Sequence, residues 1–197
     1  MSLRLSYTLL SPFYDLVAGP AFRNARRDSL SALPRGPGSV LVNGVGSGLD
    51  LPLLPPGHAY VGLDLTRAML ARCVRRAGGL RFSAVQGDSL ALPFRDASFD
   101  CAVLHLILAI VPDAARALAE TARVVRAGGT VLILDKFLKG GERAPLRRLL
   151  HPLAAQIVTR LDVVFEDILL RVPGLRLVSD EPALAGGWVR RIRLERL

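Results

Sequence analysis

Apolar residues along this chain fall into short dense runs at 39–43, 59–64, 80–86, 99–105 and 129–135. Runs of that length predict strands. Between them, 48–54, 66–77 and 113–126 carry apolar residues at helical spacing. Pro52 shortens the first of these helices or sits in its opening turn. Strands alternating with helices imply a parallel sheet with helical crossovers on both faces. Upstream, 2–18 and 21–33 read as two helices broken at Gly19-Pro20. In the second, Phe22, Ala25, Ser29 and Ala32 form one side and Arg23, Arg26 and Arg27 decorate another. Downstream, 143–160 is a basic amphipathic helix carrying Leu146, Leu149, Leu150, Leu153 and Ile157, kinked or split at Pro152. A short helix at 162–171 follows, then strands at 175–179 and 188–195 joined by a turn at Gly186-Gly187. The pattern is an α/β chain with seven strands, the last two forming an antiparallel hairpin.

The length of 197 residues fits one domain, here 1–197, and 51% hydrophobic content is that of a globular protein. No apolar run reaches the roughly 18 residues of a membrane-spanning helix. The N-terminus lacks the charged-then-apolar pattern of a signal sequence, so the expected location is cytoplasmic. Cys73 and Cys101 stand alone without metal-ligand spacing and read as plain thiols. The net charge is +9, and Lys136 and Lys139 are the only lysines. Arginine forks suit phosphates and carboxylates. The excess therefore fits an anionic membrane surface, nucleic acid, an acidic substrate or simply a solvated surface.

The chemistry concentrates after the first strand. Val40-Leu41-Val42-Asn43 runs into Gly44, Gly46 and Gly48, and the second strand ends on Asp64. A strand opening into a glycine turn lets a ligand approach bare backbone, and an acid about 20 residues on can accept ribose hydroxyls. A dinucleotide fingerprint from Gly44 needs glycine where Leu49 stands; from Gly46 it needs one where Leu51 stands. The spacing points away from NAD and toward S-adenosylmethionine. The competing reading of Asp64 is a cap on the helix at Thr66.

Further along come Asp88, Leu92-Pro93-Phe94, Ser98-Phe99-Asp100, Ala122 to Gly129 and Val131 to Asp135. Together with the glycine turn, this order resembles the class I S-adenosylmethionine-dependent methyltransferases over about 38–136. The Tyr14-Asp15-Leu16 segment and Pro20 to Arg27 are similar to small bacterial lipid methyltransferases, among them the phosphatidylethanolamine and quinone-precursor groups. The resemblance implies a Rossmann-like, mostly parallel seven-stranded sheet. The chain is expected to divide into an N-terminal helical lid (1–33), a cofactor core (38–136) and substrate-side helices with the terminal strands (137–197). It implies that the carboxylate of Asp88 takes the adenine amino group, with Ser89 and Leu90 supplying backbone. Leu65 and Met69 are placed to flank the adenine, with core packing the other reading for Met69. The family often has an acid where Val42 stands, so the amide of Asn43 is expected to serve the methionine end instead.

His105 ends the fourth strand, where this fold faces cofactor and substrate, and is the candidate general base. A satisfied histidine among leucines is the alternative. Asp135 and Lys136 end the fifth strand and read either as a polar pair for substrate or as a surface ion pair. Tyr7 and Tyr14 read as lid residues over the acceptor or as ordinary packing. The apolar stretch Leu106-Ile107-Leu108, with Ile110 and Val111, suits an apolar or lipid-like acceptor. Two alternatives stay open, a cofactor-binding module without catalysis and an RNA methyltransferase. The absence of an Asn/Asp-Pro-Pro-aromatic tetrad at 104–108, and of aromatics among the basic runs, argues against nucleic acid.

Overall fold

The computed structural model describes residues 20–138 and 163–197. The expected helices at 2–18 and 143–160, and Tyr7 and Tyr14, lie outside the described residues. The elements are helix α1 over 20–30, β1 (Ser39–Asn43), β2 (Ala59–Asp64), α2 (Arg67–Arg76), β3 (Arg81–Gln86), β4 (Phe99–His105), α3 (Ala114–Val124), β5 (Val125–Lys136), α4 (Phe165–Leu170), β6 (Leu175–Leu184) and β7 (Val189–Arg196). The strands form one sheet in the order β3-β2-β1-β4-β5-β7-β6. Pairing is parallel from β3 across to β5, and β7 runs antiparallel between β5 and β6. The strand order reverses between β1 and β4. In an open α/β sheet that switch point leaves a crevice beyond the C-terminal strand ends.

Alternation along each strand divides the core into two layers. Val40, Val42, Cys101, Val103 and Leu132 pack with Leu30, Leu70 and Cys73 of α1 and α2. Leu41, Ala102, Leu104, Val131 and Ile133 pack with Leu118, Val124, Phe165 and Ile168 of α3 and α4. Successive side chains point to opposite faces, so residue parity decides the layer. Burial pushes the Cys73 and Cys101 thiols up to about 12, so neither presents a thiolate.

Several boundaries differ from the sequence pattern for local reasons. The helix expected over 48–54 is only a 3-10 turn at Leu51–Leu53. Leu54 precedes Pro55 and is extended (φ −73°, ψ 134°), which stops the helix there. Strand β5 starts at Val125, before the expected glycine break, because Gly128 and Gly129 form a bulge. Phe99 pairs Val125, yet Cys101 pairs Thr130. Strand β6 continues through Asp180, Glu181 and Pro182 to Leu184. Proline is tolerated on this edge strand, and the acids bond Arg190 and Arg191 of β7.

At the other end of the strands, Asp100 ties β4 to β1 and β5. It accepts Ser39 N–H at 2.7 Å, Ser39 Oγ at 2.9 Å and Arg126 Nε at 2.6 Å. The amide and hydroxyl of Ser39 and the Arg126 guanidinium hold its carboxyl at about 2, below the ordinary value of 3.8. A lowered folded-state pKa means that its contribution to stability is present above pH 3.8 and is lost as pH falls toward about 2. Asp100→Ala is therefore expected to be less stable at neutral pH and to lose less stability on acidification. Urea unfolding at stepped pH values tests this, and parallel acid limbs for both proteins would exclude Asp100 as a source.

Candidate active site

Beyond β1 the chain turns through Gly44, Gly46 and Gly48, with φ of 74°, 55° and 85°. At Gly44 there is also no room, because a Cβ would lie 2.7 Å from Ile107. Gly46 is different: a Cβ there would meet nothing nearer than Gly44 O at 4.0 Å. The loop is thus covered at its first glycine and open at its second.

Two side chains brace this loop. Asp64 Oδ2 accepts Gly46 N–H at 3.0 Å, while its Oδ1 accepts Thr66 N–H at 2.8 Å and the Thr66 hydroxyl at 2.6 Å. From α2, Arg76 Nη1 donates to Ser47 O at 2.8 Å and Ser47 Oγ at 2.7 Å. Asp64 therefore holds both the glycine loop and the entrance to α2. A carboxylate has about four acceptor positions; three are used, leaving one on Oδ2.

The turn after β3 brings Asp88, Ser89 and Leu90 to the same end of the sheet. Asp88 is exposed, and its Oδ1 accepts Leu90 N–H at 2.9 Å. Ser89 is buried and donates to Asn43 Oδ1 at 2.7 Å. Asn43 Nδ2 donates in turn to Thr121 Oγ1 at 3.2 Å. Both ends of the Asn43 amide are consumed inside the protein, which removes it as a stand-in for the acid missing at Val42. Its parity explains this, since Asn43 shares the face of Leu41 and points into the α3 layer. Leu65 is 40% exposed beyond β2, and Met69 is buried on α2.

After β4, Leu106 takes a left-handed conformation (φ 59°), and Ile107 then folds over Gly44. Asp135 fixes this turn from β5, accepting Ala109 N–H at 3.1 Å and Lys136 N–H at 2.8 Å. Burial pushes its carboxyl up, against these amides. The expectation of an Asp135–Lys136 pair offered to substrate is thereby corrected. Asp135 is fully buried and spent on backbone, while Lys136 is only half-buried.

The histidine expectation changes as well. His105 Nδ1 lies 2.8 Å from Asp50 Oδ1, and Nε2 lies 3.0 Å from Ser29 Oγ. Both nitrogens are engaged within the protein, so the ring is a satisfied histidine in this arrangement. It shares the face of Cys101 and Val103, toward α1. Arg26 is likewise not a surface residue; it is buried, and its Nη1 donates to Asp50 Oδ1 at 2.8 Å. Burial alone would raise the Asp50 carboxyl, but His105 and Arg26 together outweigh it and hold the group well below the usual range. The Asp50–His105–Ser29 order is that of a hydrolytic triad, yet the Ser29 hydroxyl is sealed in the interior and no carbonyl can reach it. Sequence reasoning missed Arg26 and Asp50; the only local signal was an acid two residues beyond Gly48.

These features fit S-adenosylmethionine. There is bare, open backbone at Gly46, a strand-end carboxylate with a free acceptor position, and a second, exposed carboxylate at Asp88. A methyltransferase-domain family model matches residues 41–133. The chain is 31% identical over 188 residues to the phosphatidylethanolamine N-methyltransferase of Cereibacter sphaeroides, covering 93% of this chain and 92% of that one. The chain belongs to the class I S-adenosylmethionine-dependent methyltransferases. Its cofactor is S-adenosylmethionine. The demethylmenaquinone methyltransferase of Roseiflexus castenholzii is 38% identical over 123 residues, covering 61% of this chain and 50% of that one. The chain thus spans about half the length of that second relative. A chain in the complex between the Haloferax volcanii Trm112 methyltransferase activator and a methyltransferase shares the fold of this methyltransferase. Its TM-score is 0.80 at 18% identity, over 99% of this chain and 97% of that chain. No helix among the described residues is long and apolar enough to cross a membrane.

Proposed function

We propose that this methyltransferase acts on a small apolar or lipid-like acceptor. The observation that carries the reading is the turn after β4 beside the switch point, where half-buried Ile107 lies over Gly44 and half-buried Ile110 follows, backed by Leu108 and Val111 in the core. The sequence match to a phospholipid methyltransferase over nearly the whole chain supports it.

In this reading Gly44, Gly46 and Gly48 present backbone to the amino-acid and ribose portions of the cofactor. Asp64 accepts the ribose hydroxyls through its remaining lone pair. Asp88, with the backbone of Ser89 and Leu90, meets the adenine amino group, and Leu65 and Met69 flank the ring. When bound, S-adenosylmethionine supplies an electrophilic methyl on its sulfonium. The chain's task is alignment, holding the acceptor atom about 3 Å from that methyl and opposite the sulfur. Asp135 serves this indirectly by fixing the turn that carries Ile107. The whole chain acts as one unit, with 1–33 as a lid, 38–136 as the cofactor core and 137–197 on the substrate side. Exposed Arg23 and Arg27 on α1, within a net charge of +9, suit an anionic membrane surface from which a lipid acceptor is drawn.

The test is incubation with methyl-labelled S-adenosylmethionine and three acceptor pools: a bacterial lipid extract, a soluble metabolite fraction and RNA. Label is expected in the lipid pool. Transfer only to metabolites or only to RNA would refute the lipid reading. A vesicle series completes it, with binding expected to anionic but not neutral lipid and weakening as salt is added.

A further inference from the structure

We propose that Arg26 and Ser29 of α1, acting through Asp50 and His105, are positioning residues for the cofactor loop. They form a buried latch by which the N-terminal helix sets the geometry of Gly44 to Gly48. The inference rests on the reading that this loop holds S-adenosylmethionine.

The latch joins three pieces of the crevice wall. Arg26 and Ser29 are three residues apart and therefore share one face of α1. Asp50 leaves the glycine loop two residues after Gly48. His105 is the last residue of β4, immediately before the left-handed Leu106 and the Ile107 that covers Gly44. The contacts span 24, 55 and 76 residues of sequence at 2.8, 2.8 and 3.0 Å. They thus link α1, the exit of the glycine loop and the end of β4 through side chains. All four residues are out of water, with Arg26 at 5%, Ser29 at 1%, Asp50 at 3% and His105 at 5% exposure. Water cannot replace a lost partner there, so removing one member leaves a buried charge or polar group unpaired.

The chemistry assigns the direction of the bonds to Asp50. Asp50 is ionised and can only accept, so it takes hydrogens from both Arg26 Nη1 and His105 Nδ1. His105 Nε2 and the Ser29 hydroxyl share the third bond, whose direction follows the protonation of the ring. Arg26 uses one terminal nitrogen for Asp50, and its Nε has no partner among the described residues.

The loop has particular need of such a brace. Val42 offers no acid, and Asn43 is consumed by Ser89 and Thr121. Recognition of the amino-acid end of the cofactor therefore falls on loop backbone, whose donors bind only while their directions are fixed. Asp64 holds Gly46 and Arg76 holds Ser47 from the α2 side. The latch holds the exit of the loop from the α1 side. Loosening it should therefore weaken cofactor binding before it affects the chemical step.

The experiment compares wild type, Arg26→Gln, Ser29→Ala and Arg190→Gln. The last removes the buried Arg190 guanidinium that holds Asp180 and Glu166, remote in sequence from the loop, and controls for lost stability alone. Affinity for S-adenosylmethionine is measured by calorimetry and folding by thermal denaturation. Amide hydrogen exchange over 44–50 is followed with and without cofactor. Arg26→Gln is expected to raise the dissociation constant tenfold or more and Ser29→Ala several-fold. Exchange over 44–50 should be faster than wild type in the free variants and should return toward it when cofactor saturates. Arg190→Gln should melt earlier yet bind within twofold of wild type. Arg26→Gln/Asp50→Asn should bind no worse than Arg26→Gln, because one latch cannot be broken twice. If Arg26→Gln does not fold, Ser29→Ala alone decides. Folded latch variants that bind within twofold of wild type would overturn the proposal, as would equal weakening by Arg190→Gln. Failure of wild type itself to bind S-adenosylmethionine would instead overturn the reading of the loop, and the latch with it.

Discussion

Asp64→Ala is expected to weaken S-adenosylmethionine binding by about 1.5–3 kcal/mol, the scale of hydrogen bonds to a charged group. That is roughly a ten- to 150-fold rise in dissociation constant. Two losses combine. The ribose loses the acceptor proposed for it, and the loop loses the carboxylate that holds Gly46 N–H at 3.0 Å. The variant also frees Thr66 at the entrance to α2, because the same side chain takes both Thr66 donors. A second substitution separates these effects. Thr66→Ala removes the hydroxyl contact to Asp64 and leaves the carboxylate in place, so it should reduce stability with little change in affinity. Calorimetry on both variants, with unfolding curves alongside, gives the comparison. Unchanged affinity in a folded Asp64→Ala protein would remove Asp64 from the ribose site and leave only its structural part.

Much of this architecture is legible in the residue pattern because the central strands are apolar on both faces. Val40 to Val42 and Cys101 to Leu104 have few states other than buried parallel strands, and β1, β2 and β4 start and stop where their apolar runs do. The glycine turn is legible for a different reason, since alternating glycines ahead of a strand-end acid serve few other purposes. What escapes is set by distant partners. Gly128-Gly129 looks like a break between helix and strand, yet it works as a bulge inside β5. Asp180, Glu181 and Pro182 look like turn residues until Arg190 and Arg191 appear opposite them. Arg26 looks like one more solvated arginine on a basic helix. Its burial depends on Asp50, 24 residues away, and no local periodicity carries that information. His105 was partly decidable: its parity with Cys101 and Val103 turns it toward α1, where the latch residues wait.

The glycine loop supports the second large prediction, a contrast between two neighbouring substitutions. Gly44→Ala should cost about 2–5 kcal/mol of stability. About 1–2 of this comes from a left-handed backbone that alanine resists, and about 1–3 from overpacking against Ile107. A domain of this size has about 5–15 kcal/mol in all, so the variant should melt well below wild type. Gly46→Ala meets the same backbone penalty (φ 55°) without the collision, because its Cβ points into open space. Its stability loss should stay near about 1–2 kcal/mol. Binding should show a different contrast, because in the proposed site the space at Gly46 is where the cofactor approaches bare backbone. Folded Gly46→Ala should lose most of its affinity for S-adenosylmethionine despite its milder unfolding. Gly44→Ala combined with Ile107→Ala should regain part of the overpacking loss but none of the backbone penalty. Thermal unfolding and calorimetry on the three variants measure both quantities. Equal destabilisation by the two single substitutions would show that Ile107 yields freely. Wild-type affinity in Gly46→Ala would place the cofactor elsewhere along the loop. The two glycines thus separate what the turn needs in order to fold from what it needs in order to bind.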